Sequence, residues 1–176
     1  CTRNEEHVDP VIRSAEAGVK GIFCEKPIAL SLVDTDRMIE ACDGAGARLV
    51  VDHSMRFEAN YRKMKEWVDQ GEIGDLASVS VLYTGDQGSL FHNATHALDA
   101  FRFFAGEPDW VLADIDRNLC RESNQECVTA FFRFQTGARG TYLSGAGTEY
   151  RYESIILEGS TGKIEARNFD GWRPLI

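Results

Sequence analysis

The chain has 176 residues, of which 43% are hydrophobic and 27% charged, and carries a formal net charge of −9. That is globular composition, and the acidic balance argues against binding a phosphate backbone, so no nucleic-acid partner is expected. No run approaches the roughly 18–20 apolar residues that span a bilayer, and no basic-then-apolar leader opens the chain; neither a membrane partner nor a signal peptide is expected.

Residues 4–18 read as an amphipathic helix. Asn4 is the expected N-cap, acids crowd the first turn, and Val8, Val11, Ile12 and Ala15 share a face. Gly18 is a natural residue just past its end. Residues 21–24, Gly-Ile-Phe-Cys, form a short apolar run of the buried-strand type, which ends on Glu25-Lys26-Pro27. Proline stops the ladder because it has no N–H to donate. Ser31 and Asp34 then open a second helix, with Val33, Met38, Ile39 and Cys42 as its buried stripe and Gly44 and Gly46 at its end. A strand at 48–52 follows. Helix, strand, helix, strand at this spacing predicts βαβ units with parallel strands.

A third helix is expected over 60–70, with Tyr61, Met64, Lys65 and Val68 on one face. Beyond it the pattern changes. Residues 77–83 alternate like a strand with one polar face, and a helix over 94–104 closes at Gly106. Strands are expected at 110–115, 128–134, 140–143, 152–158 and 163–166, with turns between them. The fold class is therefore α/β: the C-terminal part of a Rossmann-type parallel sheet, then an α+β domain with a large, mostly antiparallel open sheet. The boundary lies near residues 54–60, giving domains at 1–56 and 57–176.

Few residues stand out chemically. Lys26 beside Glu25, at the carboxyl edge of a sheet, can meet a substrate hydroxyl; as a solvated ion pair it would be worth under about 1 kcal/mol. His92 and His96 are four apart, a spacing that shares a helix face, and histidine is the usual acid–base group near neutral pH. Either could equally be a cap or a half-buried, hydrogen-bonded imidazole. His-x-x-x-His also fits a metal site, but no third ligand is suggested and no metal is expected. Asp86 and Asp99 could assist; Asp99, three residues after His96, either orients it or is a surface acid. His53 and Arg56 should lie near the edge that carries Lys26. The five cysteines form no CxxC pair, and a reduced, cytoplasmic protein is expected.

Taken together, Glu25-Lys26-Pro27, the run ending His53-Ser54-Met55-Arg56-Phe57, Gly71-Glu72-Ile73-Gly74, and His96-Ala97-Leu98-Asp99 before Gly106 resemble the glucose-fructose oxidoreductase, inositol dehydrogenase and rhizopine-catabolism (Gfo/Idh/MocA) family. Thr2-Arg3-Asn4 with His7 is similar to that family's Thr-Pro-Asn…His segment, with Arg3 in place of the proline. The resemblance implies an oxidoreductase with NAD or NADP as cofactor, moving a hydride to or from a hydroxyl-bearing carbon of a sugar, cyclitol or related polyol. It implies Lys26 and His96 as catalytic residues facing one cleft, with His92 lining it at the family's usual acid position. Thr2, Asn4, His7, Glu25, Lys26 and Pro27 would contact the cofactor, and Lys26-Pro27 is a candidate cis bond. It also implies a homo-oligomer, dimer or tetramer, built through the C-terminal sheet. The Gly-rich phosphate loop of a Rossmann domain is absent, so these residues are expected to be a fragment beginning inside the fourth βα unit and ending early. His92 at an acid position keeps open a non-catalytic, nucleotide-sensing member as the alternative, and an assembly module built on the sheet as a third reading.

Overall fold

The structure, a computed structural model, describes residues 2–84, 93–116, 127–145 and 152–167, and the backbone of 173–175. The chain divides into two compact units, Cys1–Ser54 and Met55–Ile176.

In the first unit, a single 3₁₀ turn at Asn4–Glu6 precedes α1 (Val8–Glu16), β1 (Gly21–Cys24), α2 (Leu32–Ala45) and β2 (Arg48–Val51). The expected cap at Asn4 is corrected here: His7 holds the N-cap position of α1. Proline explains the shift. A helix begun at Asn4 would bury Pro10 in its interior, where the ring meets the carbonyl four residues back. Begun at Val8, it puts Pro10 in the first turn, where no N–H is needed. Ser31 caps α2 as expected, its hydroxyl accepting the Asp34 N–H at 3.1 Å. β1 and β2 pair in parallel, Gly21 opposite Arg48 and Cys24 opposite Val51.

The core of this unit is Val11, Ala15, Cys24, Ala29, Met38, Cys42 and Ala47. Two expectations fail in detail. Only one face of the β1–β2 pair is covered: Ile22 and Cys24 turn inward, while Phe23 and Val50 stay exposed. On α2 the buried residues are Met38 and Cys42, whereas Val33 and Ile39 are exposed. At 3.6 residues per turn Val33 lies about 140° round the helix from Met38, off the stripe that Met38 and Cys42 define.

The second unit holds α3 (Ala59–Asp69), β3 (Leu76–Thr84), α4 (Ala94–Ala105), β4 (Pro108–Asp116), β5 (Cys127–Phe134), β6 (Arg139–Gly145), β7 (Glu153–Gly159), β8 (Lys163–Arg167) and β9 (Arg173–Leu175). Its sheet has the order β4-β5-β6-β3-β7-β8-β9. β3 and β6 are parallel and the other pairs antiparallel. The strand β9 escapes the sequence reading because it is three residues long with Pro174 at its centre, which leaves no alternation to detect. One face of the sheet, carrying Val79, Val81, Phe132, Phe134, Tyr142 and Leu157, packs with Tyr61 and Met64 of α3 and the buried alanines and phenylalanines of α4. Leu112, Phe131 and Leu143 stay exposed; Leu112 is registered opposite Phe131, and Leu143 opposite Thr129 two residues along β5. They thus share the opposite face.

The turn before β3 docks on the β7–β8 hairpin: Thr161 donates its N–H to the Ile73 carbonyl at 3.0 Å, and Ser160 donates to Asp75 at 3.0 Å. A Cβ added at Gly159 would fall on that Ile73 carbonyl, whereas one added at Gly44, inside α2, meets open space. Gly159→Ala is expected to lower the urea midpoint by the equivalent of about 1–3 kcal/mol, because backbone cannot give way as a side chain does. Gly44→Ala should raise it by about 0.5–1 kcal/mol through the lost entropy of the unfolded chain. Equilibrium urea unfolding of the two variants reads both signs.

Candidate active site

In the first unit, the parallel pairing brings the ends of β1 and β2 to one edge. The ladder runs one residue past β2, where the Asp52 N–H donates to the Cys24 carbonyl at 2.8 Å. Glu25, Lys26 and Asp52 therefore gather at the carboxyl edge of the pair. The Lys26–Pro27 peptide bond is cis, as the resemblance implied. Glu25 Oε2 accepts the Lys26 backbone N–H at 3.1 Å. Burial pushes the pKa of the Lys26 amine down, and the carboxylates of Glu25 and Asp52 oppose that without cancelling it.

His7 is buried, and its Nδ1 lies 2.8 Å from the Pro27 carbonyl. A carbonyl only accepts, so Nδ1 carries the proton and a neutral ring presents Nε2 as an acceptor. An open cleft of about 410 Å³ is bordered by Thr2, His7, Ser14, Phe23 and Glu25. Asn4 lies in the 3₁₀ turn just before His7. Exposed Thr2 and Glu25 offer a hydroxyl and a carboxylate, a donor and acceptor set that suits a hydroxyl-bearing ligand.

In the second unit, His96 stands in the first turn of α4 and is half-buried. His92 and Asp86 lie outside the described residues. Asp99 is not the surface acid that one of its two readings made it. Its side chain is 10% exposed and both its oxygens are taken by Arg56, Nε to Oδ2 and Nη2 to Oδ1, each at 2.7 Å. Arg56 belongs to the second unit, where its guanidinium also lies 5.2 Å from the centre of the Phe103 ring of α4. His53, by contrast, closes the first unit just after β2. Among the described residues no group of three or more His, Cys, Asp or Glu side chains could hold a metal ion, and no helix is long and apolar enough to cross a membrane.

Two stretches match known families. The oxidoreductase family with an NAD-binding Rossmann fold matches residues 1–53, and the GFO/IDH/MocA C-terminal domain matches residues 61–165. The chain belongs to the Gfo/Idh/MocA family of oxidoreductases. It is 33% identical over 185 residues to the myo-inositol 2-dehydrogenase of Thermotoga maritima, taking in 96% of this chain and 55% of that protein. It is 34% identical over 186 residues to the 2,7-anhydro-N-acetylneuraminate hydratase of Mediterraneibacter gnavus, covering 94% and 49%. The WlbA dehydrogenase of Bordetella pertussis, solved with NADH and UDP-GlcNAcA, superposes with a TM-score of 0.85 at 26% identity over 98% of this chain and 60% of that one. The chain thus spans about half the length of the curated relatives it matches.

Within this Gfo/Idh/MocA chain, two features of the site region escaped the sequence reading. The Arg56–Asp99 pair spans 43 residues, and a single ion pair leaves no periodicity to find. Asp52 looked like the end of a strand, and only the register shows that it faces Cys24 and Glu25.

The depressed Lys26 pKa has a consequence for stability. Below its folded value the amine is charged in both states. Between that value and the ordinary 10.5, the unfolded chain holds a proton that the folded chain has released. The Lys26 contribution to stability therefore rises with pH across that window and levels off above it. The stability gained by Lys26→Met should accordingly shrink as pH increases from about 8 to about 11, as read by urea unfolding at each pH. A pH-independent difference would refute the depressed value.

Proposed function

We propose that the intact protein is an NAD(P)-dependent dehydrogenase acting on a hydroxyl of a cyclitol, sugar or related polyol. In this assignment residues 1–56 serve the cofactor and residues 57–176 the substrate and assembly. The observation that carries it is Lys26: a partly buried amine with a lowered pKa, set between Glu25 and Asp52 at the carboxyl edge of a parallel pair, within a stretch that matches an NAD-binding Rossmann fold. Open α/β sheets bind ligands at that edge. The myo-inositol 2-dehydrogenase relative supports the cyclitol class.

A nicotinamide, when bound, accepts or returns the hydride. The chain's own residues handle the proton and the charge. A carbinol carbon can lose hydride only if its hydroxyl proton has somewhere to go. His96 takes that proton as the general base. The Lys26 ammonium stabilises the developing alkoxide, and a partly dry site strengthens that stabilisation. Thr2, Asn4, His7, Glu25, Lys26 and Pro27 would contact the cofactor, with the His7–Pro27 hydrogen bond keeping the turn that follows Lys26 in shape. His92 tunes substrate choice.

In the intact protein, with NAD⁺ or NADP⁺ and a panel of inositols and sugars, His96→Ala and Lys26→Ala should each lower kcat by at least about a hundredfold. His92→Asp should shift preference within the panel while activity persists. The hydratase relative supports a second reading, a reaction without net hydride transfer. Product formation with no change in nicotinamide absorbance would select it over the first, and nucleotide binding with no turnover of either kind would select a sensing member.

The exposed Leu112, Phe131 and Leu143 support self-association through the uncovered face of the large sheet. Light scattering of the intact protein should give a dimer or tetramer, and Phe131→Asp should shift it towards monomer. A monomeric wild type at high concentration would overturn the assembly.

A further inference from the structure

We propose that Arg56 is a positioning residue: its fork on Asp99 and its stacking on Phe103 set the roll of α4 about its own axis, and with it the imidazole of His96. The inference rests on the reading of His96 as the proton acceptor.

His96, Asp99 and Phe103 stand at positions i, i+3 and i+7 of α4 and so share one stripe of the helix. Arg56 grips two points of that stripe. Its two parallel N–H···O bonds to Asp99 are both 2.7 Å, and the guanidinium lies 5.2 Å from the Phe103 ring centre. A bidentate, charge-assisted pair fixes orientation as well as distance, which a lysine could not do. Asp99 is nearly out of water, so the pair is screened far less than a surface ion pair.

The packing of α4 gives this grip its importance. The fully buried residues in the half of the helix that carries His96 are alanines, Ala94 and Ala97, each at 0% exposure, and Ala100 at 1% follows directly. Methyl groups let a helix sit close to a sheet, but they interlock weakly against rotation. The long buried side chains, Phe101 and Phe104, come only in the second half. Side-chain tips stand about 5–6 Å from a helix axis, so a roll of about 10° moves a tip by about 1 Å. A misplacement of about 1 Å can cost a hundredfold in rate. Arg56 thus supplies the azimuthal restraint that the alanine face lacks. It sits two residues past the end of the first unit, so the chain is fastened to the His96 helix as soon as it enters the second.

The test uses the intact protein with NAD⁺ and myo-inositol as probes. Arg56→Lys keeps the charge and most of the stem but loses the fork, and Asp99→Asn removes the acceptor charge. Both are expected to lower kcat ten- to a hundredfold, with KM for myo-inositol and Kd for NAD⁺ within about twofold of wild type. A loss expressed in KM instead of kcat would overturn the proposal. A second readout does not depend on turnover: in histidine-selective ¹⁵N NMR, the His96 signal, identified by its loss in His96→Gln, should split or broaden in Arg56→Lys. An unchanged His96 signal overturns the positioning role even if activity falls. If His96→Ala retains full activity or myo-inositol is not oxidised, the base assignment fails, and the NMR comparison alone decides whether Arg56 holds His96. Should Asp99→Asn fail to fold, Arg56→Lys decides by itself.

Discussion

A parallel strand pair cannot be closed by a tight turn, and that constraint organises both units. β1 and β2 run in parallel, as do β3 and β6, so each pair needs a long connection. The connection from β1 to β2 is α2, and the one from β3 to β6 begins with α4. Parallel pairing also puts two carboxyl ends at one edge. In the first unit this collects Glu25, Lys26 and Asp52 from stretches 26 or more residues apart. In the second, α4, with His96 in its first turn, is the next described element after β3. The chemistry proposed for this chain sits where the topology leaves strand ends together.

Partial burial of charge then has different outcomes at three places. At Lys26 burial wins over two neighbouring carboxylates and the amine's pKa falls. At Glu165 burial opposes ionisation, but hydrogen bonds from Arg167 and Lys163 outweigh it, and the carboxyl titrates below its ordinary range. At Asp99 a bidentate guanidinium satisfies both oxygens. Direct donors meet the carboxylates of Glu165 and Asp99, whereas at Lys26 burial is the largest effect. A perturbed pKa at a strand edge suits a chemical site.

Much of this arrangement was legible in the sequence. The glycines at 18, 46 and 106 adopt positive φ where helices end, and the alternation of residues 77–83 placed Val79, Val81 and Tyr83 inward as the sheet has them. Lys26 and His96 stand out in the sequence because acid, base and proline after a strand, and histidines at helical spacing, are local patterns. Local patterns survive in a sequence because backbone sterics and side-chain periodicity act over a few residues.

What only the tertiary structure decided is pairing at a distance. Arg56 found its partner 43 residues away on α4, because Asp99 offers a nearly dry carboxylate matched to its fork. Ile39 lost its place beside Cys42 in the α2 stripe, because which residues at the margin of a stripe face inward depends on what the helix packs against. The start of α1 moved from Asn4 to Val8 under the single demand of Pro10. The sequence by itself determined the types of all but the shortest elements, the carboxyl-edge lysine and the turn that follows it, all set within one or two turns of chain. The partners of Arg56, Asp52 and His7 were settled only when folding brought separate elements together, since an ion pair or a hydrogen bond has no period and leaves no trace along the chain.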